Sequence, residues 1–347
     1  MKPLVSILIP AYNAQEWIAE TIKSAIAQTW GRKEIIIVDD GSTDQTLAVA
    51  RRFASKDVLV VAREHQGAAA ARNHAFSLSR GDYIQWLDAD DLLAANKIAK
   101  QMEYWERCQS PRTLLSSEWG CFMYRTNRAK FSPTPLWCDL SAVEWLLQKM
   151  GQHLYMQTAT WLVSRDLTEA GGPWDTRLSN DDDGEYFCRV ILASDGIRFV
   201  PEARVFYRQT PSSRLSYIGR SNKKQDSMLL SMQLQVKYIQ SLEESDRVRA
   251  ACLAFLQNDL IDFYPERPDI VEELGKLARR LGGRLETPRL RWKYAWMKPL
   301  FGWGPAKRAQ NVLPQLKASL SRSWDRVMFK SAEWNHHPAS ERGGFCP

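Results

Sequence analysis

No stretch of this 347-residue chain approaches the roughly 18–20 consecutive apolar residues that a bilayer-crossing helix needs. A spanning segment is therefore not expected. The six cysteines are scattered and form no C-x-x-C pair, which argues against a zinc knuckle and a disulfide-stapled scaffold. Reduced thiols and a cytoplasmic setting are the default expectation. No G-x-G-x-x-G follows the first apolar run, so the dinucleotide-binding turn of a dehydrogenase is missing. Nor does that run lead into a Gly-rich loop with a basic residue, which a nucleotidyltransferase would use to grip a triphosphate. The start of the chain meets Pro10 after a short apolar run and has no small-residue cleavage site, so it reads as a strand rather than a leader.

Acidic residues are scarce in one region only. Between 276 and 330, fourteen Lys and Arg face just Glu286 and Asp325, a surplus of +12 in a chain of net charge +7. The rest of the chain is mildly acidic, and a split of this kind favours an anionic partner for the basic region. Elsewhere the composition is ordinary, 44% hydrophobic and 25% charged, which excludes wholesale disorder and fibrous repeats. The length allows one large α/β domain with an appendage, or two modest domains.

The first hundred residues alternate between two periods. Val5–Pro10, Glu34–Val38, Val58–Val61 and Tyr83–Leu87 are short apolar runs suited to buried parallel strands. Between them, Gln15–Thr29, a segment from Thr43 or Asp44 to about Ala54, and Ala68–Ser79 carry helical spacing. This order predicts a mostly parallel sheet with flanking helices, whose ligands sit at the carboxyl ends of the strands. The middle is less regular, with a helix expected over Asp183–Ser194 and a strand over Arg198–Tyr207. After Ser221 the pattern turns helical, most clearly over Pro268–Leu281, with Gly282 and Gly283 as its stop. The expected plan is a catalytic domain over 1–215, a helical, basic, Trp-rich region over 216–330 and a flexible tail over 331–347.

Polar clusters stand at the strand ends. Pro10, Tyr12 and Asn13 follow the first run, where the Tyr12 ring could stack on a base or pack in the core. Asp39 and Asp40 end the second, where Asp39 suits a turn with Gly41 and Asp40 suits a ligand hydroxyl or imide. Arg72 lies in an alanine-rich helix, placed either for a phosphate or for a salt bridge. Asp88 and Asp90, two apart in an extended segment, present paired carboxylates suited to Mn²⁺ or Mg²⁺ carrying a diphosphate. Asp91 precedes Leu92–Met102 and offers a helix cap as the alternative. Asp181, Asp182 and Asp183 stand at a helix start, where the macrodipole favours them and one could serve as a general base. Trp161 and Trp174 flank that loop, placed for an acceptor sugar or for the core.

The blocks VSILIPAYN (5–13), IIIVDDGSTD (35–44), GAAAARNHA (67–75), GDYIQWLDADD (81–91) and GGPWDTRLSNDDDGEYFCRV (171–190) resemble family 2 glycosyltransferases, loosely to about residue 208. The resemblance implies the Rossmann-like GT-A fold, an inverting mechanism and a nucleotide-sugar donor, most simply UDP-linked. It implies Tyr12 and Asp40 at the nucleobase, Arg72 at the diphosphate, Asp88 at the ribose, Asp90 at the metal and Asp183 as base. Asp182 then stands where the family usually has Glu, and His65 where it usually has Asn. The implied acceptor is a glycan or lipid-linked hydroxyl, as in polysaccharide biosynthesis. An inactive nucleotide-sugar-binding module and a nucleotidyltransferase are the alternatives. For 276–330, contact with an anionic membrane surface on the inner face of the cell membrane and plain packing stand level. No nucleic-acid module is visible there, and no nucleic-acid partner is expected.

Overall fold

The computed structural model describes residues 2–108, 110–210 and 221–336. Its first part runs β1 (Val5–Ala11), α1 (Ile18–Ile26), β2 (Lys33–Asp39), α2 (Thr46–Arg51), β3 (Val58–Ala62), α3 (Ala68–Leu78) and β4 (Tyr83–Trp86). There follow β5 (Leu92–Leu93), α4 (Lys97–Cys108), β6 (Thr113–Phe122), β7 (Lys130–Phe131), α5 (Ala142–Gln152) and β8 (Val163–Ser164). The central part closes with α6 (Arg165–Gly171), α7 (Asp182–Ala193) and β9 (Gly196–Arg208). Helices complete the chain: α8 (Asn222–Leu242), α9 (Asp246–Phe263), α10 (Pro268–Arg280), α11 (Trp292–Ala295), α12 (Met297–Phe301) and α13 (Trp303–His336).

One sheet has the order β3-β2-β1-β4-β8, parallel except for β8. The alternation of side chains along a strand explains why its strands read as unbroken apolar runs. Leu8, Ile36, Val38, Ile84 and Trp86 enter one buried cluster, while Val5, Ile7, Ile9, Ile35 and Ile37 enter the other. Both faces are covered, and the polar residues Ser6, Glu34 and Gln85 within these strands are buried with hydrogen-bond partners. A second sheet, β5-β9-β6-β7, pairs β6 with β9 in parallel and lies on the second cluster.

The core does not divide at residue 215. Met232, Val236, Leu256, Phe263 and Leu274, from α8, α9 and α10, lie in the same cluster as Leu8 and Trp174. The helix α10 has Pro at its first position and buries Ile270, Leu274 and Ala278, and Gly282 (φ +80°) follows it. Two expectations need correction. Asp91 caps no helix, because the two-residue strand β5 intervenes and α4 begins only at Lys97. The tail expected from 331 starts as helix, since α13 runs to His336; residues 337–347 lie outside the described residues.

Candidate active site

The carboxyl ends of β1, β2 and β4 and the start of α7 meet on one side of the first sheet. At the end of β1, Pro10 still pairs with Val38 inside the sheet. The Tyr12 ring beyond it is 46% exposed and stacks on His65, with ring centroids 4.2 Å apart. Asn13 has φ +48°, and its side-chain Oδ1 accepts from Thr43 N at 2.8 Å while its backbone N–H donates to Ser42 Oγ. It therefore ties the loop after β1 to the loop after β2.

Asp39 and Asp40 divide their work as their positions suggest. Asp39 Oδ2 accepts from Ser42 N in a turn at Gly41 (φ +72°), and its Oδ1 is buried without a partner among the described residues. Asp40 is 2% exposed. It accepts from Gly67 N at 2.7 Å and Gln66 N at 3.2 Å and pairs with Arg63 Nε at 3.2 Å. His65 Nδ1 stands 2.9 Å from the same carboxylate and donates to it, so Tyr12, His65 and Asp40 form one chain of contacts. His65 was legible only as a departure from the family pattern. The fold makes it the link between the exposed ring and the buried acid.

Arg72 reaches this side from α3, where Ala69, Ala71 and Ala75 let the helix press against the sheet. Its guanidinium is almost fully buried and bridges Asp88 Oδ1 at 2.8 Å and Asp182 Oδ2 at 2.6 Å. Burial alone would lower its pKa, but Asp182, Asp88 and Asp183 outweigh that and raise it. The guanidinium lies 4.3 Å from the centre of the Trp174 ring, which stacks on Tyr186 at 4.0 Å. Asn73 fixes this stack by a reciprocal pair of bonds to the Trp174 backbone, at 2.8 and 2.9 Å. Trp174 is thus a buried floor under Arg72, and Trp161 is buried against Trp145 and Phe187. Neither faces solvent, so of the two readings given for them, acceptor sugar and core, the structure has the core.

The three successive aspartates have three distinct settings. Asp181 caps α7 from a left-handed conformation (φ +54°), with its carboxylate turned inward to Ser231 Oγ at 2.6 Å and Gln235 Nε2 at 2.7 Å. Burial pushes its pKa up. Its Oδ1 occupies the space that a Cβ on Gly184 would need, which is why glycine stands there. Ser227 accepts from the N–H groups of Ser179 and Asn180 at 2.8 and 3.0 Å. Ser227, Ser231 and Gln235, spaced by four along α8, therefore hold the whole 179–181 loop. Asp182 turns to Arg72. Burial raises its pKa, Arg72 opposes that in part, and the result is about 6. Asp183 points to a third side, its Oδ2 3.3 Å from both Tyr155 Oη and Thr158 Oγ1. Desolvation at the Tyr155 hydroxyl, on a residue that is 43% exposed as a whole, and the charge of Asp183 hold its pKa well above the usual value, so it donates to the carboxylate. Tyr155 and Thr158 carry no motif of their own, and sequence reasoning missed them.

Asp88 keeps a third of its side chain exposed beside Arg72. Asp90 accepts from Arg208 Nε at its backbone carbonyl. Asp91, fully buried, accepts from Arg208 N at 2.8 Å and Gln157 Nε2 at 2.6 Å, anchoring the segment from below. Arg208 itself lies 4.5 Å from the ring centres of both Trp17 and Phe122. Among the described residues no three His, Cys, Asp or Glu side chains converge as a ready-made metal cage. The segment 88–91 is a turn closed by Asp91 N on Asp88 O at 3.1 Å rather than the extended pair expected, and Asp88 Oδ1 is engaged by Arg72. Asp88 and Asp90 both carry the hard oxygen donors that a divalent cation takes.

Residues 6–110 match the family described as Glycosyl transferase family 2. The match covers that segment alone, under a third of the chain, and over it the chain is similar to that family. A relative from Escherichia coli, UDP-Glc:alpha-D-GlcNAc-diphosphoundecaprenol beta-1,3-glucosyltransferase WfaP, is 40% identical over 104 residues, 30% of this chain and 41% of that protein. The chain spans about two-fifths of the length of several curated relatives it matches. Among solved structures, S. aureus TarS 1–349 in complex with UDP-GlcNAc has a TM-score of 0.66 at 16% identity, covering 90% of this chain and 92% of that one. The mannosyltransferase PcManGT from Pyrobaculum calidifontis, in complex with GDP-Man and Mn²⁺, has a TM-score of 0.54 at 17% identity, covering 94% of this chain and 88% of that one. These likenesses show the fold. It is the GT-A arrangement, with the helical C-terminal region included in the matched length.

Proposed function

We propose that this chain is an inverting glycosyltransferase that moves a sugar from a nucleotide sugar to a hydroxyl of a glycan or lipid-linked acceptor. The observation that carries the proposal is the bridging of Asp88 and Asp182 by the one buried guanidinium of Arg72, with the neighbouring Asp183 turned to Tyr155 and Thr158. A UDP-linked donor is supported by what WfaP and the TarS complex are named for; GDP-Man in PcManGT makes a guanine nucleotide the alternative.

In this reading the exposed Tyr12 ring takes the base, and Asp40 holds the loop that carries Gly67 and receives the base at its margin. Asp88 lies toward the ribose. Asp90, with Asp88, would hold Mn²⁺ or Mg²⁺. A bound divalent cation would offset the negative charge that gathers on the departing diphosphate. Arg72 keeps Asp88 and Asp182 in register and lends its positive charge to the same region. Asp183 takes the proton from the acceptor hydroxyl while that oxygen bonds to the anomeric carbon on the face opposite the diphosphate. The glycosidic C–O bond breaks with its electron pair on the diphosphate, and the configuration inverts. Tyr155 and Thr158 aim the carboxylate through their hydrogen bonds.

The donor class is tested by thermal shift of the full chain against nucleotide diphosphates and nucleotide sugars, with and without Mn²⁺. A rise with UDP-sugars that depends on metal and is lost in Asp90→Asn is expected. Equal response to all nucleotides, or none to any, would contradict the reading.

A further inference from the structure

The face built by α11, α12 and the first half of α13 differs from the rest of the surface. Trp292 is 80% exposed, Trp296 59%, Leu300 67% and Phe301 58%. Trp296 ends α11 and precedes α12 in helical conformation, so the two short helices continue one path. Trp292, Trp296 and Leu300 then recur every four residues along one side. Exposed Arg291, Lys293 and Lys298 alternate with them. On α13, Leu313 and Leu316 are also half exposed or more. Between α11 and α13 opens a cleft of about 540 Å³, lined by Arg291, Trp292, Lys293, Tyr294, Leu313 and Pro314. Isolated apolar side chains on a surface need no explanation, but a contiguous set rimmed by cations does.

This face is fixed to the body. Arg291 N donates to Gln310 Oε1 at 2.7 Å, tying the start of α11 to α13, and buried Lys307 ties α13 to the body by donating to Tyr264 O and pairing with Glu266, each at 2.7 Å. Farther along α13, Asp325 pairs with Arg125 at 2.6 Å, and Arg326 with Glu16 at 3.1 Å. The exposed aromatic residues are therefore held on a platform joined at both ends to the catalytic body.

We propose that the α11–α13 face seats the protein on an anionic phospholipid surface, with Trp292, Trp296, Leu300 and Phe301 at the headgroup–acyl boundary and Arg291, Lys293 and Lys298 among the phosphates. Charge selects this occupant. The region 276–330 carries a surplus of +12, so a second copy docked through the same face would set like charges against each other. Trp beside Lys and Arg is the composition that favours an anionic bilayer interface. No helix among the described residues is long and apolar enough to cross a membrane, so the contact lies in the plane of the surface. The binding does not depend on the transfer reaction and can be read without turnover.

The test is co-sedimentation of the full chain with vesicles of phosphatidylcholine alone and of phosphatidylcholine mixed with phosphatidylglycerol. Binding to the mixed vesicles is expected, weakening as salt is raised, and falling about tenfold or more in Trp292→Ala/Trp296→Ala and in Lys293→Glu/Lys298→Glu. Nucleotide-sugar binding by the same variants should match the parent, which also confirms that they fold. Should either variant misfold, the lipid and salt dependence of the parent chain decides alone. Equal sedimentation with both vesicle types, or none, overturns the proposal. So does a parent chain that sedimentation velocity shows to be a dimer through this face.

Discussion

At Asp182 a carboxylate that sequence reading treats as a shortened Glu becomes the partner of a buried arginine. Its pKa of about 6 lies above that of a free Asp, so the folded protein holds this proton more tightly than the unfolded chain does. Its contribution to stability is therefore full below about pH 4 and declines as pH rises through about 6. Function runs the other way, because the Arg72 bridge needs the charged form. We expect kcat/KM to fall as pH drops through about 6, and Asp182→Asn to be slow at every pH and to lack that acidic limb. A parent profile flat from pH 7 to pH 5 would contradict the assignment. The places of Asp40 and Asp88 at strand ends were legible because each follows an apolar run of the right period, whereas the roles given to Arg72 and Asp183 came from the family resemblance. Tyr155, Thr158 and His65 were not legible, since a side chain brought in by tertiary folding leaves no spacing to read. Trp161 and Trp174 were ambiguous for a related reason: an aromatic residue beside a catalytic loop looks the same whether it faces sugar or core.

The first four strands were legible to within a residue or two: burial on both faces gives β1, β2 and β4 their apolar runs, and the β-branched run of the edge strand β3 reads as strand although Leu59 is exposed. The two-residue strand β5 was invisible, and the helix cap offered as the alternative for Asp91 fails in consequence. The helix α8 shows a subtler limit. Its positions Ser227, Ser231 and Gln235 form a polar side, and a polar side normally reads as solvated; here all three are buried against the 179–181 loop. Removing this support should loosen the base without touching the donor. Ser231→Ala/Gln235→Leu leaves the buried Asp181 carboxyl unpartnered, at a cost of about 1–3 kcal/mol in stability. We expect a lower Tm and about a tenfold lower kcat, with donor Kd unchanged. A variant that loses stability alone, with kcat intact, would show α8 to be scaffold only. Gly184→Ala should behave alike, since its methyl group would displace the Asp181 carboxylate.

For the whole molecule, composition suggested a boundary near residue 215, yet packing runs across it. The charge shift was real, but it marks a surface and leaves the core continuous, because net charge reports on solvent-facing residues while burial follows the apolar stripe. Met232, Val236, Leu256 and Phe263 are all buried at 3% exposure or less against the sheet side of the fold. A chain ending at 215 should therefore lose cooperative unfolding and near-ultraviolet circular dichroism, whereas an independently folded domain would retain both. The account of the intact molecule rests on one group at the start of α7. Its most direct test is Asp183→Asn, assayed together for donor affinity and for sugar transfer to an acceptor hydroxyl. The account predicts an unchanged donor Kd and a turnover lower by about 10²–10⁴. Turnover equal to that of the parent chain would contradict it.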